Sequence, residues 1–433
     1  MHLQPRKKLA HGRCVAPEET IVRLDAFIRP RHEFRVHEEP VHRHLHWSAL
    51  FLDDDPEFRA MGKGTTRTLA MAGALAEAAE SLAAREIDNL PGYTFAHQRE
   101  IETPLPIEDL LPHIATATPP VVERIKNSET ARHWVDGWSL LRDEPVKVPL
   151  AYARLISGPN GKASGNFLEE ALVHALMEIV ERRAHSTVLR EKLALPTIDP
   201  ESIPYPVVRE QIEFVRDMGI EVTLKDLSFG GVLPCIGAYF FDPFVSPDYQ
   251  FHHFFKVGAS FDTEEALVRI FTEFVQGRRH NEFRTDTPEA LERLLDADFR
   301  RLRTRGADCD NFLSAFMFGM VPYRDAGFLR QGEAVPLAPD PGHDDCLDDI
   351  RHALRICETL GKDCIAVDLA DPESDFPVVQ AIIPAYSDVL PFHPAASEGL
   401  FRMPTRSDVL GAFNLPFSAP TRRHQATRGI HGD

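Results

Sequence analysis

A layered α+β fold is what this sequence predicts, and three observations predict it. The 433 residues are 43% apolar, enough to build a large core. Helix-length amphipathic segments mix with short runs rich in β-branched and aromatic residues, without the strict strand–helix–strand alternation of a parallel sheet. No run of 18 apolar residues interrupts them, so no membrane-spanning helix is expected.

The elements follow in chain order. Residues 41–52 (VHRHLHWSALFL) read as one strand on which His42, His44 and His46 share a face. Three histidines could hold a metal, but no carboxylate or cysteine completes the set, so a partly exposed polar face is the favoured reading. Residues 66–86, rich in alanine, read as a helix, and proline-rich 102–120 as an irregular connection. A strand over Lys147–Ser157 runs into the glycine-containing turn SGPNGKASGN and then a helix over 168–191. An amphipathic helix near 206–218 ends at Gly219. Strands near 220–228 and 232–241 flank SFGGV, the signature of a hairpin. Helices follow at 263–280, 287–300 and 345–360, the last preceded by the loop PLAPDPGHDD, and strands near 363–369 and 377–383 close the ordered part. From about residue 395 periodicity ceases, and the end, PTRRHQATRGIHGD, reads as disordered. The expected organisation is one domain over 12–395 and a tail over 396–433.

Charge narrows the function. With 66 acidic and 48 basic residues the net charge is -18, which gives no general attraction to nucleic acid or an anionic membrane. The basic start, MHLQPRKKLAHGR, leads into no apolar stretch of the kind a secretory signal carries. Six cysteines without CxxC spacing fit reduced thiols better than disulfides or a zinc site. A cytoplasmic protein is the expectation.

The sharpest signal is a phrase that recurs. Three helices share a register: Ala70, Gly73, Glu77 and Glu80; Ala171, His174, Glu178 and Glu181; Ala266, Arg269, Glu273 and Gln276. In each, a small residue is followed at +3, +7 and +10 by positions on one helical stripe. A single ExxE reads as solvated surface, and like charges so close cost a helix a few tenths of a kcal/mol. Three in one register, two of them behind turns (GKG at 62–64 and NGKASGN), suggest helices converging on one place. A turn running into a helix N-terminus can hold an anion. Glu77, Glu80, Glu178 and Glu181 would give a hard oxygen cage suited to Mg²⁺ bridging phosphates. The cation's attraction would outweigh the helix penalty. No Walker or kinase glycine motif is present, so a nucleotide site here would be of another kind.

The segments PNGKASGNFLEEALVHALMEIVERRA, KDLSFGGVLPCIGAYFFDP, GASFDTEEALVRIFTEFVQGR and VVQAIIPAYSDVLPFHP resemble the YcaO family, over about residues 12–395 and most strongly over 158–279. The resemblance implies the YcaO fold: layered helices and mixed sheets around a central site for ATP and Mg²⁺. It implies a chemistry in which ATP phosphorylates the oxygen of a peptide backbone amide. A nucleophile then adds to the activated carbon, giving azoline, thioamide or amidine products. It implies Glu77 and Glu80 as a first Mg²⁺-binding pair and Glu178 and Glu181 as a second, with Arg182 on the phosphates. Asn166, Glu170 and Arg269 match nucleotide-contacting positions. Arg13 and Thr20, in GRCVAPEETIVRL, stand where the family has lysine and serine near the nucleotide. No catalytic residue is assigned, nor any contact for Glu273 and Gln276. Ser81 stands where an arginine usually follows the second glutamate, and Gly73 where a serine is often found.

Within the family the likeness is greatest to enterobacterial members described as accessory factors for methylthiolation of a small-subunit ribosomal protein. The proline-rich terminus of azoline-forming relatives finds no counterpart, which lowers the expectation of azoline synthesis. A peptide or protein substrate is implied, with leader recognition left to a partner, a sulfur-delivery or methylthiotransferase partner, and a homodimer of the kind relatives form. Two readings compete: an ATP- and Mg²⁺-dependent enzyme that activates peptide amides, and a nucleotide-binding accessory protein without amide chemistry of its own. Ligation of a small molecule by carbonyl phosphorylation shares the logic, but nothing in the sequence is specific for it.

Overall fold

A computed structural model describes residues 1–9, 12–56, 58–83, 90, 92–105, 123, 127, 131–150, 160–244, 247, 253–278, 319–371, 374–384 and 386–387. Pro17 opens α1 (Pro17–Ile28), where its missing N–H is no loss, and Glu18 and Glu19 sit at the positive end. Leu24 and Ile28 of this helix are buried in a core shared with Leu50, Leu52 and Ala78.

The first sheet is antiparallel, β1 (Phe34–His42), β2 (Leu45–Leu52) and β3 (Arg59–Gly64), in that order. This corrects the single strand expected over 41–52. The chain reverses at Arg43–His44, so that Phe34 pairs with Leu52 and both bury against the same core. The three histidines therefore do not share a face. His42 stacks on Phe214 with ring centroids 4.4 Å apart, His44 Nε2 lies 3.1 Å from Glu210, and His46 faces the Arg43 carbonyl at 3.3 Å. The helix α2 (Arg67–Ala83) packs on β2 and β3.

The second sheet comprises β4 (Thr94–Ala96), β5 (Arg132–Ser139), β6 (Glu144–Pro149), β7 (Lys162–Ser164), β13 (Ile365–Asp368) and β14 (Val378–Ile382). Its order is β4-β5-β13-β14-β7, with β6 paired to β5. The third contains β8 (Thr197–Ile198), β9 (Glu221–Asp226), β10 (Cys235–Phe241), β11 (Phe254–Ala259) and β12 (Ala334–Val335), in the order β11-β10-β9-β8-β12. The hairpin expected across SFGGV is the antiparallel β9–β10 pair.

Between the second and third sheets runs α3 (Leu168–Glu191), which packs on β7, β14 and β11. Ala171, Leu172, Ala175, Leu176, Ile179 and Val180 bury it on most sides. The polar stripe of this helix is thus enclosed by protein rather than laid on a wet surface. Helix α4 (Pro206–Asp217) covers β9, and α5 (Thr263–Gly277) covers β10 and β11. Asp262 caps α5 by accepting from the N–H groups of Glu264 and Glu265. The short α6 (Gly327–Arg330) and α7 (Cys346–Thr359) complete the helices among the described residues.

The N-terminal segment is sewn onto this frame. Lys8 N–H donates to Asp344 O at 2.8 Å, Cys346 N–H to Arg6 O at 2.9 Å, and Gln4 N–H to Glu169 Oε1 at 2.6 Å. It thereby carries Arg13 and Cys14 to the start of α3. The described cysteines are buried free thiols. No described helix is long and apolar enough to cross a membrane. The helix expected at 287–300, residues 84–86, 106–120 and 151–159, Cys309 and the tail 396–433 lie outside the described residues.

Candidate functional site

Each sheet ends on an edge strand that turns directly into a helix. These are β3 into α2, β7 into α3 and β11 into α5. The three strand–turn–helix units meet around a cavity of about 510 Å³. Close approach of strand to helix is built in: a Cβ on Gly62 would lie 1.9 Å from Ala70 O and 2.2 Å from Ala74 N. Gly73 fits the same contact from the helix side, since a Cβ there would lie 3.3 Å from Gly62 Cα.

The glutamate stripes face this cavity. Glu80 accepts from both the N–H and the hydroxyl of Ser164 at 2.8 Å. Burial pushes its pKa up to about 7; the Glu178 carboxylate adds to the rise, while the two Ser164 bonds oppose it. Glu77 is open to the cleft yet surrounded by protein, which raises its pKa against the Met61 N–H and Lys63. Glu178 accepts from Gly161 N–H at 2.9 Å and from Arg182 Nε and Nη2 at 3.0 and 2.8 Å. Glu181 lies 3.3 Å from Arg269 Nη2, and burial together with the Glu273 carboxylate raises its pKa. Glu273 pairs with Lys63. Burial would raise this carboxyl, but Lys63, Lys256 and Arg269 outweigh burial and hold it down.

Five glutamates and six cations, Arg13, Lys63, Lys162, Arg182, Lys256 and Arg269, line the cavity. The wall is therefore slightly cationic in a chain of net charge -18. Arg269 Nε is buried without a hydrogen-bond acceptor, a donor that an anion in the cleft would satisfy.

A second cavity of about 170 Å³ adjoins the first and shares Arg13, Lys63, Gly73, Ala76, Ser164 and Arg269 with it. Val15, Leu69, Val268 and Phe376 give it an apolar wall, and Thr20, Asn166 and Glu170 a polar one. Thr20 Oγ1 donates to Asn166 Oδ1 at 3.1 Å, and Asn166 Nδ2 to Glu170 Oε1 at 3.1 Å. Cys14 N–H donates to Glu170 Oε2 at 2.9 Å. Arg13 Nη1 reaches Glu170 at 3.3 Å and His174 Nδ1 at 2.9 Å. Arginine has only donors, so Nδ1 accepts; burial, then Arg13 and Arg269, lower the His174 pKa well below the usual value. The arrangement suits an apolar–polar ring system joined to a polyanion.

All ten residues singled out from the sequence line these two cavities. Glu77, Glu80, Glu178, Glu181, Arg182 and Arg269 lie in the larger, Thr20, Asn166 and Glu170 in the smaller, and Arg13 and Arg269 in both. No three His, Cys, Asp or Glu side chains among the described residues are arranged to hold an ion unaided, so the four-glutamate cage is not preformed. Glu80 is turned to Ser164 and Glu178 to Arg182. The donor set still fits Mg²⁺, which takes one or two carboxylates and draws its other oxygens from phosphates and water. Sequence reasoning missed Lys63, Lys162, Ser164 and Lys256. Three of these stand in the quoted GKG and NGKASGN turns, but nothing in the sequence marked them as strand residues facing the helices.

A family model described as YcaO cyclodehydratase, ATP- and Mg²⁺-binding, matches residues 61–387. A protein of Methanothermobacter thermautotrophicus with no assigned activity is 28% identical over 256 residues, 56% of this chain and 63% of that protein. The ribosomal protein S12 methylthiotransferase accessory factor YcaO of Escherichia coli is 29% identical over 177 residues, 41% of this chain and 29% of that protein. The matches thus span less than two thirds of either relative. Among solved structures, a heterocyclase in complex with substrate and cofactor superposes with a TM-score of 0.68 at 19% identity, covering 96% of this chain and 58% of that one. YcaO from Methanopyrus kandleri bound with AMPPCP and Mg²⁺ gives a TM-score of 0.58 at 20% identity, covering 88% and 94%. At these identities the superpositions establish the fold.

Proposed function

The chain belongs to the YcaO family, an ATP- and Mg²⁺-binding family, and from that premise we propose that it activates a backbone amide of a peptide by O-phosphorylation. One observation carries the reading: three separate helical stripes deliver their glutamates and arginines to one cleft beside a pocket of nucleoside character. Thr20, Asn166 and Glu170 hold the nucleoside end, and Arg13 and Arg269 the phosphates. Glu77, Glu80, Glu178 and Glu181 would hold Mg²⁺, which would supply positive charge against the phosphates. Arg182, fixed by Glu178, faces the same end.

The amide oxygen attacks the terminal phosphorus, and the bond to ADP breaks. Phosphate is a far better leaving group than the amide oxygen it replaces. A nucleophile adds to the activated carbon, and phosphate departs with the former amide oxygen. The product class, thioamide or azoline, follows from the nucleophile. Residues 12–395 are proposed as the working unit, acting on a peptide or protein delivered by a partner.

A second reading, a nucleotide-binding accessory of a methylthiotransferase, draws on the likeness to the Escherichia coli accessory factor. Titration calorimetry with Mg-ATP tests what both share. Glu178→Gln removes one carboxylate charge while leaving an acceptor for Gly161 N–H. The expected result is Mg²⁺-dependent binding in the natural chain, weakened about tenfold or more in the variant. Equal affinity in the two proteins would refute the assignment of Glu178 to the metal. Phosphate release that requires a peptide separates the enzyme from the accessory.

A further inference from the structure

Building on the nucleotide reading above, we propose that Lys162 grips the terminal phosphate of the bound triphosphate and is what distinguishes ATP from ADP in this cleft. The cleft has a direction. Residues lining both cavities, Arg13, Lys63 and Arg269 among them, form a junction. Thr20, Asn166 and Glu170 line only the smaller cavity, whereas Lys162, Arg182 and Lys256 line only the larger. A nucleoside in the smaller cavity therefore sends its phosphates through the junction toward these three cations.

Two of the three are engaged. Arg182 is bound to Glu178 through Nε and Nη2, and Lys256 faces the Glu273 carboxylate. Lys162 differs. Its Nζ donates to the main-chain carbonyl of Glu80 at 3.2 Å, and among the described residues it forms no ion pair with a carboxylate. An ammonium has three donors, so two remain for a ligand. An ammonium enclosed by protein without an ionic partner is costly, and burial accordingly lowers its pKa against the pull of Glu80, Glu178 and Glu77.

The backbone holds Lys162 in place between the two acidic pairs. The preceding residue, Gly161, donates its N–H to Glu178, and Ser164 donates its N–H to Glu80. Gly161 has φ +77, and a Cβ there would lie 2.5 Å from Ala381 O, so the turn before Lys162 admits only glycine. A terminal phosphate held in the larger cavity between these two acidic pairs would meet the Lys162 ammonium. The side chain thus binds the group to be transferred and neutralises its charge.

The experiment compares Mg-AMPPCP with Mg-ADP by titration calorimetry on the natural chain and Lys162→Gln. The expected result is a loss of about 10- to 100-fold for AMPPCP, with ADP affinity within about twofold of the natural chain. Equal losses for both nucleotides, or none for either, overturn the proposal. If the natural chain binds neither nucleotide, the parent reading fails and this one with it. Acetylation footprinting of the natural chain asks the same question without a substitution. AMPPCP should shield Lys162 where ADP does not, and equal reactivity with both overturns the assignment.

Discussion

Gly62→Ala is the perturbation whose size the structure fixes best. The added Cβ would stand 1.9 Å from Ala70 O and 2.2 Å from Ala74 N, both main-chain atoms of α2. A carbon–oxygen contact settles near about 3.3 Å, so β3 and α2 would have to separate by about 1.4 Å. Neither partner is a side chain that can rotate away. Overpacking of this kind costs about 1–3 kcal/mol, and a clash between two backbones belongs at the upper end. For a chain of this length that corresponds to a fall in Tm of roughly 3 °C. The functional effect follows from what the two elements carry. Lys63, next in sequence, pairs with Glu273, and α2 bears Glu77 and Glu80. Parting them widens the cleft, and Mg-ATP affinity should fall about tenfold or more. Thermal melting and titration calorimetry read the two effects. A variant that melts within about 1 °C of the natural chain and binds Mg-ATP equally would refute the claim that this contact sets the site.

Two further predictions concern charge. Glu80, pushed up to about 7 from 4.5 by burial, keeps a proton in the metal-free native state that the unfolded chain has already lost. The native state therefore binds more protons, and the stability of the metal-free protein should fall as pH rises from about 4.5 through about 7. Mg²⁺ requires the carboxylate, so Mg-ATP affinity should rise between about pH 6 and pH 8 with release of a proton; an affinity flat across that range would sink the assignment. Away from the cleft, Arg278 and Asp242 form an ion pair at 2.5 Å with side chains 5% and 1% exposed. Arg278→Met should cost about 3–5 kcal/mol by stranding the carboxylate, and adding Asp242→Leu should recover part of it; the check is denaturant unfolding, with Mg-ATP affinity of the folded protein unchanged.

How much of this was legible in the sequence depends on periodicity. Helix α3 was readable over its full length, because its apolar residues recur at helical spacing and a glycine-rich turn precedes it. The stripes Glu77/Glu80, Glu178/Glu181 and Arg269/Glu273 were readable for the same reason, and the structure turns all of them into one cavity. Short strands carry no such signal. β1, β3, β7 and β11 are not legible in the sequence, and 41–52 reads as one strand because the reversal at Arg43–His44 contains no glycine, proline or asparagine. Helix α1 does announce itself in the sequence, with Pro17 followed by two glutamates.

Three of these strands carry half of the site's cations. Lys63 on β3, Lys162 on β7 and Lys256 on β11 stand on the strands of the three strand–turn–helix units and line the same cavity as the glutamates, Lys63 pairing with Glu273 of α5 and Lys162 reaching the Glu80 carbonyl of α2. Their spacing from the glutamates of the attached helix differs in each unit, because each lysine stands at a different distance from the end of its strand and the turn after β3 is shorter than the other two, so no common register exposes them. This also bears on Ser81 and Gly73. Gly73, where the family often has a serine, is where α2 meets Gly62, a packing contact. Ser81 lines the same wall as Lys162. An arginine missing from the helix leaves that end of the cleft cationic as long as the neighbouring strand supplies a lysine. The charge of a cleft built by three units is a property of the units together, and a substitution on one element is weighed correctly only against the residues that the other two bring to face it.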